Sequence, residues 1–322
     1  MKNIVTIILS LATFSAQSQD KIPQTEISNG IIHARLYLPD ASKGYYRGAR
    51  FDWSGVMPEL SYQGHSYFGQ WFPTYSPTLH DAIMGPVEAF VPIGYDNAKT
   101  GENFLIIGIG MITKPDELKY HFATPYQISN AGSWKVKKGT DRVEFTHKLN
   151  DRIYSYEYRK TVQLLKDKPE MVLLHTLKNT GKRTMETNVY NHNFFVMDNH
   201  PINQDYIVTF PFNLESEDQG DINLGKLDSN KVVYHKELSA DEHLYYKSIQ
   251  GFGSGASDYD IKIENHKTGA AVRITSDQPI SKIVFWSAQK TVCPEPYIHI
   301  KVEPGETITW KISYQFYTCD TK

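Results

Sequence analysis

The chain has 322 residues, 40% of them apolar and 22% charged, with a formal net charge of −2. That balance suits a globular protein with a sizeable core and excludes a general nucleic-acid binder, which needs a basic surface. Tyrosine is the outlier, 21 residues beside 15 Phe and 5 Trp, a composition that fits β-structure and a sugar-facing cleft equally well.

At the N-terminus Lys2 precedes the apolar run Ile4 to Leu11, and Ala16-Gln17-Ser18 forms a small-x-small cleavage pattern before Gln19. This predicts a secretory signal peptide over residues 1–18 and a periplasmic or secreted protein beyond it. No internal apolar run approaches the roughly 20 residues of a membrane span, so no membrane insertion is expected after cleavage. The rest reads as β-structure. Short β-branched or alternating runs follow one another: Ile31 to Leu38, Phe104 to Ile109, Arg142 to His147, Tyr154 to Tyr158 and Met171 to Leu177. Asp260 to Glu264, Ala271 to Ile274, Lys282 to Trp286 and Thr307 to Ile312 continue the series. Turn signals separate them, among them Asn29-Gly30, Asn179-Thr180-Gly181, Lys267-Thr268-Gly269 and Glu303-Pro304-Gly305. With no long helical period and no repeat, the pattern predicts an all-β protein: one large antiparallel β-sandwich spanning residues 19–322.

Four segments could carry chemistry. Gly44 to Gly55 places Arg50, Asp52 and Trp53 in one loop, where Arg50 and Asp52 would either bind sugar hydroxyls or form a structural ion pair. Leu79 to Phe90 sets His80, Asp81 and Glu88 in an apolar, turn-forming stretch. Tyr190-Asn191-His192-Asn193-Phe194-Phe195 flanks a histidine with amides and aromatics. His192 is then a general acid, or a core histidine satisfied by its neighbours. Thr291 to Tyr297 holds Glu295 between Pro294 and Pro296, which reads as a stiff loop carrying a base, or as an ordinary surface turn. Neither His-x-His nor HExxH occurs, nor GxSxG, a P-loop or a dinucleotide fingerprint, so no metal or cofactor is expected. Cys293 and Cys319 are the only cysteines. In an oxidising compartment they would pair if their Cα atoms came within about 7 Å, and otherwise stay small hydrophobes.

In order along the chain, these segments resemble galactose mutarotase-like proteins of the aldose 1-epimerase superfamily, over roughly residues 28 to 318. Asn191-His192-Asn193-Phe194-Phe195 is similar to the family's Asn-His-x-Tyr/Phe-Phe segment, and Val292-Cys293-Pro294-Glu295-Pro296 to its Cys-x-Glu-Pro segment. Pro304-Gly305-Glu306-Thr307 matches the turn before the last strand. The resemblance implies the mutarotase supersandwich fold and a divergent, secreted, cofactor-independent isomerase. In it Glu295 would take the anomeric hydroxyl proton and His192 would protonate the ring oxygen from the opposite side. Arg50, Asp52, His80, Glu88, Asn191 and Trp286 would contact the sugar. The expected partner is a small sugar or oligosaccharide bound by a monomer. Two segments depart from the family. Its Gly-Arg-x-x-Asn-Arg-Ile segment is represented only by Arg50 in Gly48-Ala49-Arg50, and no residue matches its mid-chain Asp. Two other activities therefore stay open. One is a binding module with an aromatic cleft of Trp53, Trp71, Trp286 and Tyr297. The other is a lyase using Arg47, Arg50 or Lys290, or a glycosidase pairing Glu88 with Glu295.

Overall fold

The computed structural model describes residues 22–321, so the expected signal peptide lies outside the described residues. Two antiparallel sheets dominate. The larger has ten strands, in the order Gly225–Asp228, Lys231–Tyr234, Tyr206–Thr209, Asp260–Asn265, Ala270–Ser276, Thr307–Thr318, Glu170–Asn179, Tyr156–Leu164, Arg142–Leu149 and Ser133–Lys138. The smaller has six: Glu215–Ser216, Leu244–Gln250, Lys282–Ala288, Thr291–Val302, Met185–Phe194 and Gly85–Phe90. A four-stranded sheet from Gln24–Ser28 to His65–Ser66 and a three-stranded sheet from Asn103–Ile106 to Gln127–Asn130 complete the strands. The helical content described is two short 3-10 turns, Met197–Asn199 and Ala256–Asp258. The antiparallel sandwich expected from the turn-punctuated runs is the observed architecture.

Alternation explains which faces meet. Along Thr307–Thr318 the buried positions are Trp310, Ile312, Tyr314 and Phe316, a period-two pattern that turns one face of the strand inward. Tyr156–Leu164 alternates likewise, burying Tyr156, Tyr158, Lys160, Val162 and Leu164. Those faces meet the inner face of the six-stranded sheet. Phe90 packs edge-on to Tyr158 and Trp310, at 5.6 and 6.3 Å between ring centres. Several runs extend further than the sequence suggested. The run begun at Tyr154 starts at Tyr156 and continues to Leu164, and the last strand reaches Thr318. Phe104 to Ile109 ends earlier, at Ile106, where the chain turns through Ile107 to Ile109.

The main correction concerns Thr291 to Tyr297. It is not a loop but half of the strand Thr291–Val302, flanked by a strand on either side. Prolines are normally confined to edges because they cannot donate to a ladder. Pairing with Lys282–Ala288 runs unbroken through both prolines. The missing donors therefore fall on the other side, where pairing with Met185–Phe194 stops after Tyr190↔Tyr297 and resumes at the Phe195↔Val292 bridge. The gap is closed by a side chain: Asn193 Nδ2 donates to the Pro294 carbonyl at 3.0 Å. Cys293 and Cys319 are unpaired, one buried in the six-stranded sheet and the other just beyond the last strand of the ten-stranded sheet.

Candidate active site

The outer face of the six-stranded sheet carries a cleft of about 610 Å³, within the ~300–1,000 Å³ range of small-molecule sites. Strand parity selects its floor. Tyr190, His192 and Phe194 project into it from one strand, Glu295 and Tyr297 from the next, and Lys282, Val284 and Trp286 from the third. Where the ladder is open, His192 and Glu295 lie side by side, Nε2 to Oε1 3.3 Å, with 3% and 5% of their surfaces exposed. They are neighbours rather than groups facing each other across a ring.

Loops build the walls. The Gly44–Gly55 segment is tied to the chain around His80 by the Tyr46 hydroxyl donating to His80 O at 2.9 Å and Arg47 N–H donating to Pro77 O at 2.6 Å. That brings Arg50 against Asp81, where they form a short ion pair, and His80 Nε2 approaches the same carboxylate at 3.2 Å. Phe122 covers the guanidinium 4.0 Å from its ring centre. Aromatic rings stack behind the imidazole: His192 on Phe194 at 3.9 Å and Phe194 on Trp71 at 4.9 Å, with Trp286 edge-on to Trp71 at 5.3 Å.

The electrostatics follow from this packing. Burial drives the Glu295 pKa up to about 7, with Arg50 opposing and Asp81 reinforcing the rise. Burial also pushes His192 well below its usual 6.5, and Arg50 adds to that while Asp81 resists it. Asp81 is itself pushed upward by burial, yet Arg50 and His80 outweigh this and hold it below 3.8. The two shifts together favour the proton of the pair on the carboxyl rather than the imidazole just below pH 7.

Of the residues expected to act on or contact the sugar, His192, Glu295, Arg50 and Trp286 line the cleft, and so do Trp71 and Tyr297 of the expected aromatic cleft. Asp52, Glu88 and Asn191 do not. In the register Asn191↔Glu88 and His192↔Val87, the histidine faces the cleft, while its neighbour Asn191 and Glu88 face the core between the sheets. There Glu88 is sealed against Lys160 and accepts from Asn191 Nδ2 at 3.1 Å, with His175 Nε2 2.9 Å away. Asp52 is a loop organiser. It accepts from the Ser54 N–H and hydroxyl at 2.9 and 2.6 Å and from Tyr158 at 3.1 Å. Gly108, at φ +81°, packs so closely that a Cβ there would lie 2.7 Å from Asp52 Oδ1. Arg50 pairs with Asp81, not Asp52. Glu88 and Glu295 lie on opposite faces of one sheet, so they do not form a glycosidase pair. His80 sits at the rim and opens onto a neighbouring hollow. Trp53 is buried, its indole donating to Gly48 O at 2.9 Å.

Asp81, named with His80 and Glu88 as a polar group of its segment, lines the cleft, and so do Tyr190, Lys247 and Lys282, which had not been singled out as binding residues. Tyr190 was legible, because it stands two residues before His192 on a strand. Lys282 was legible in the same way, four residues before Trp286 on a strand, whereas Lys247 carried no local signal. Among the described residues no group of three or more His, Cys, Asp or Glu side chains is placed to hold a metal ion.

No protein-family model and no curated protein matches the sequence. Solved structures match in shape. Slr1438 from Synechocystis sp. PCC 6803 superposes with a TM-score of 0.57 at 13% identity, covering 99% of this chain and 100% of that one. The GalM/aldose epimerase homologue from C. elegans gives 0.55 at 14%, covering 92% and 99%. A galactose mutarotase related enzyme from Lactobacillus acidophilus gives 0.54 at 14%, covering 93% and 99%. At such identities the likeness establishes the fold, which is the galactose mutarotase-like β-sandwich.

Proposed function

We propose that the protein is an aldose 1-epimerase-like isomerase that interconverts sugar anomers by acid–base catalysis. The observation that carries this reading is the His192–Glu295 contact at 3.3 Å in the aromatic-walled cleft. Anomer exchange needs a base for the anomeric hydroxyl and an acid for the ring oxygen. A buried pair holding one proton supplies both. With the proton on Glu295, the carboxyl is the acid and the neutral imidazole the base. After transfer across the short gap, Glu295 is the base and imidazolium the acid, as the family resemblance implies. Ring opening and closure run through the same two states in opposite order, so a single protonation level serves the whole cycle. Trp71, Phe194 and Trp286 offer apolar faces to the sugar ring, and the Arg50–Asp81 pair offers donors and acceptors to its hydroxyls.

The test is anomer exchange followed by NMR across neutral sugars, uronates and sugar phosphates. The wild type accelerates exchange of at least one sugar, and His192→Ala and Glu295→Gln each lower that rate by roughly 10²–10⁴-fold. Acceleration that survives both substitutions, or none with any sugar, would sink the proposal.

A further inference from the structure

The cleft has a charged end that anomer exchange does not use. Beyond Glu295 the floor continues to Lys282, opposite Tyr297, and to Lys247 on the neighbouring strand. Lys282 Nζ sits over the Tyr297 ring, 5.3 Å from its centre. Lys247 lies in a bulge: pairing slips between Tyr246↔Phe285 and Ile249↔Ile283, so Lys247 and Ser248 together oppose Val284. A bulge of this kind adds a residue and re-aims a side chain, often beside a site. Here Tyr246 and Ile249 stay buried while Lys247 reaches the cleft.

Among the described residues neither lysine ammonium forms an ion pair with a carboxylate. Asp218, close to Lys247, is engaged by the Lys247 backbone N–H at 2.7 Å and the Ser216 hydroxyl at 2.6 Å. The cleft's other fixed charges are Arg50, Asp81 and Glu295. Arg50 and Asp81 neutralise one another, which leaves two lysines facing one carboxyl. The Lys282 position lies two residues along from Val284, the residue opposite Glu295. That is roughly 7 Å at strand rise, the scale of one sugar ring.

We propose that the cleft selects aldoses carrying an anionic group, a carboxylate or a phosphate, which Lys247 and Lys282 hold while the anomeric carbon lies at His192 and Glu295. This rests on reading the cleft as a sugar site, and it names the class of sugar. With a neutral sugar the two ammonium groups would share only the Glu295 carboxyl, on which Lys282 already acts. An anionic one gains charge-assisted hydrogen bonds from them.

Isothermal titration calorimetry tests it independently of turnover. Galactose and glucose are compared with their uronates and their 6-phosphates, at low and high salt, on the wild type, on Lys247→Gln, and on Lys247→Gln/Lys282→Gln. The anionic sugars bind about tenfold or more tighter than their neutral parents at low salt. The preference shrinks with salt, falls in the single variant and disappears in the double one. Whichever of uronate and phosphate binds tighter identifies the anion. Equal or weaker binding of the anionic sugars, or a preference that survives in the double variant, overturns the inference. Anomer exchange is read in the same samples. A lysine-dependent preference without exchange removes the epimerase proposal and leaves this one standing.

Discussion

Substituting Glu295→Gln should make the protein more stable at alkaline pH while removing its activity. Burial holds the carboxyl at about 7 against 4.5 for the free group, so the folded state binds that proton more tightly than the unfolded chain. This contribution to stability is fully present below pH 4.5. It is lost as pH rises through 7, because the unfolded chain then releases the proton more readily. At about 1.4 kcal/mol per pH unit, the gap amounts to ~3 kcal/mol. Gln has nearly the same shape and carries no charge at any pH. The stability of the variant relative to wild type should therefore move in its favour by ~3 kcal/mol between pH 4 and pH 8. That is a large fraction of a typical 5–15 kcal/mol total. The comparison between the two proteins matters. His192, held low by burial, titrates in the opposite sense over part of the same range, so the difference isolates Glu295 except for the change its loss makes in the neighbouring imidazole 3.3 Å away. Urea unfolding at both pH values gives the quantity directly. A stability difference that does not change with pH would mean that Glu295 ionises as it does in water, and the one-proton account of the pair would be wrong.

On the proposed mechanism the same proton sets the rate. Anomer exchange should fall as pH rises through about 7, when Glu295 loses its proton, and fall again in acid when the imidazole takes a second. Initial rates across pH would show a bell whose limbs belong to the pair, and a rate that climbs steadily above pH 7 would contradict it. In the core, Lys160→Met should cost about 3–5 kcal/mol by stranding the buried Glu88 charge, and adding Glu88→Leu should recover much of that loss; thermal unfolding of both variants checks it. Tyr314→Phe removes a hydroxyl lying 2.6 Å from Asn191 Oδ1 and 2.8 Å from Asn193 Oδ1. Leaving that buried acceptor unmatched should cost about 1–3 kcal/mol in urea unfolding. Exchange should drop as well, since Asn193 bridges the gap beside His192.

Much of the architecture was readable in local pattern. The turn pairs, the β-branched runs and the absence of a helical period are properties of neighbouring residues, and they mark out antiparallel strands without reference to the rest of the chain. His192 and Glu295 stood out for the same reason: an imidazole between two amides, and a carboxylate between two prolines, are unusual in any context. Facing was not readable. Glu88 lies in a strand buried throughout, and Asn191 begins the fully buried end of its strand, so at these positions no polar–apolar alternation distinguishes a cleft face from a core face. Their pairing register, with His192 beside Val87, puts the histidine outside and the two polar neighbours inside, and a one-residue slip would have reversed all three. The proline pair misled for a related reason. Prolines bar a ladder on one side only, and local sequence does not say that an asparagine from the next strand fills that side. Arg50 found Asp81 rather than Asp52, and Lys247 and Lys282 came to line the cleft, because long-range pairing brought distant segments together. The sequence by itself marked most of the strands and the two side chains proposed as acid and base. Only the tertiary structure decided which side chains share a face, because in a sheet that choice depends on register with strands far away in the chain.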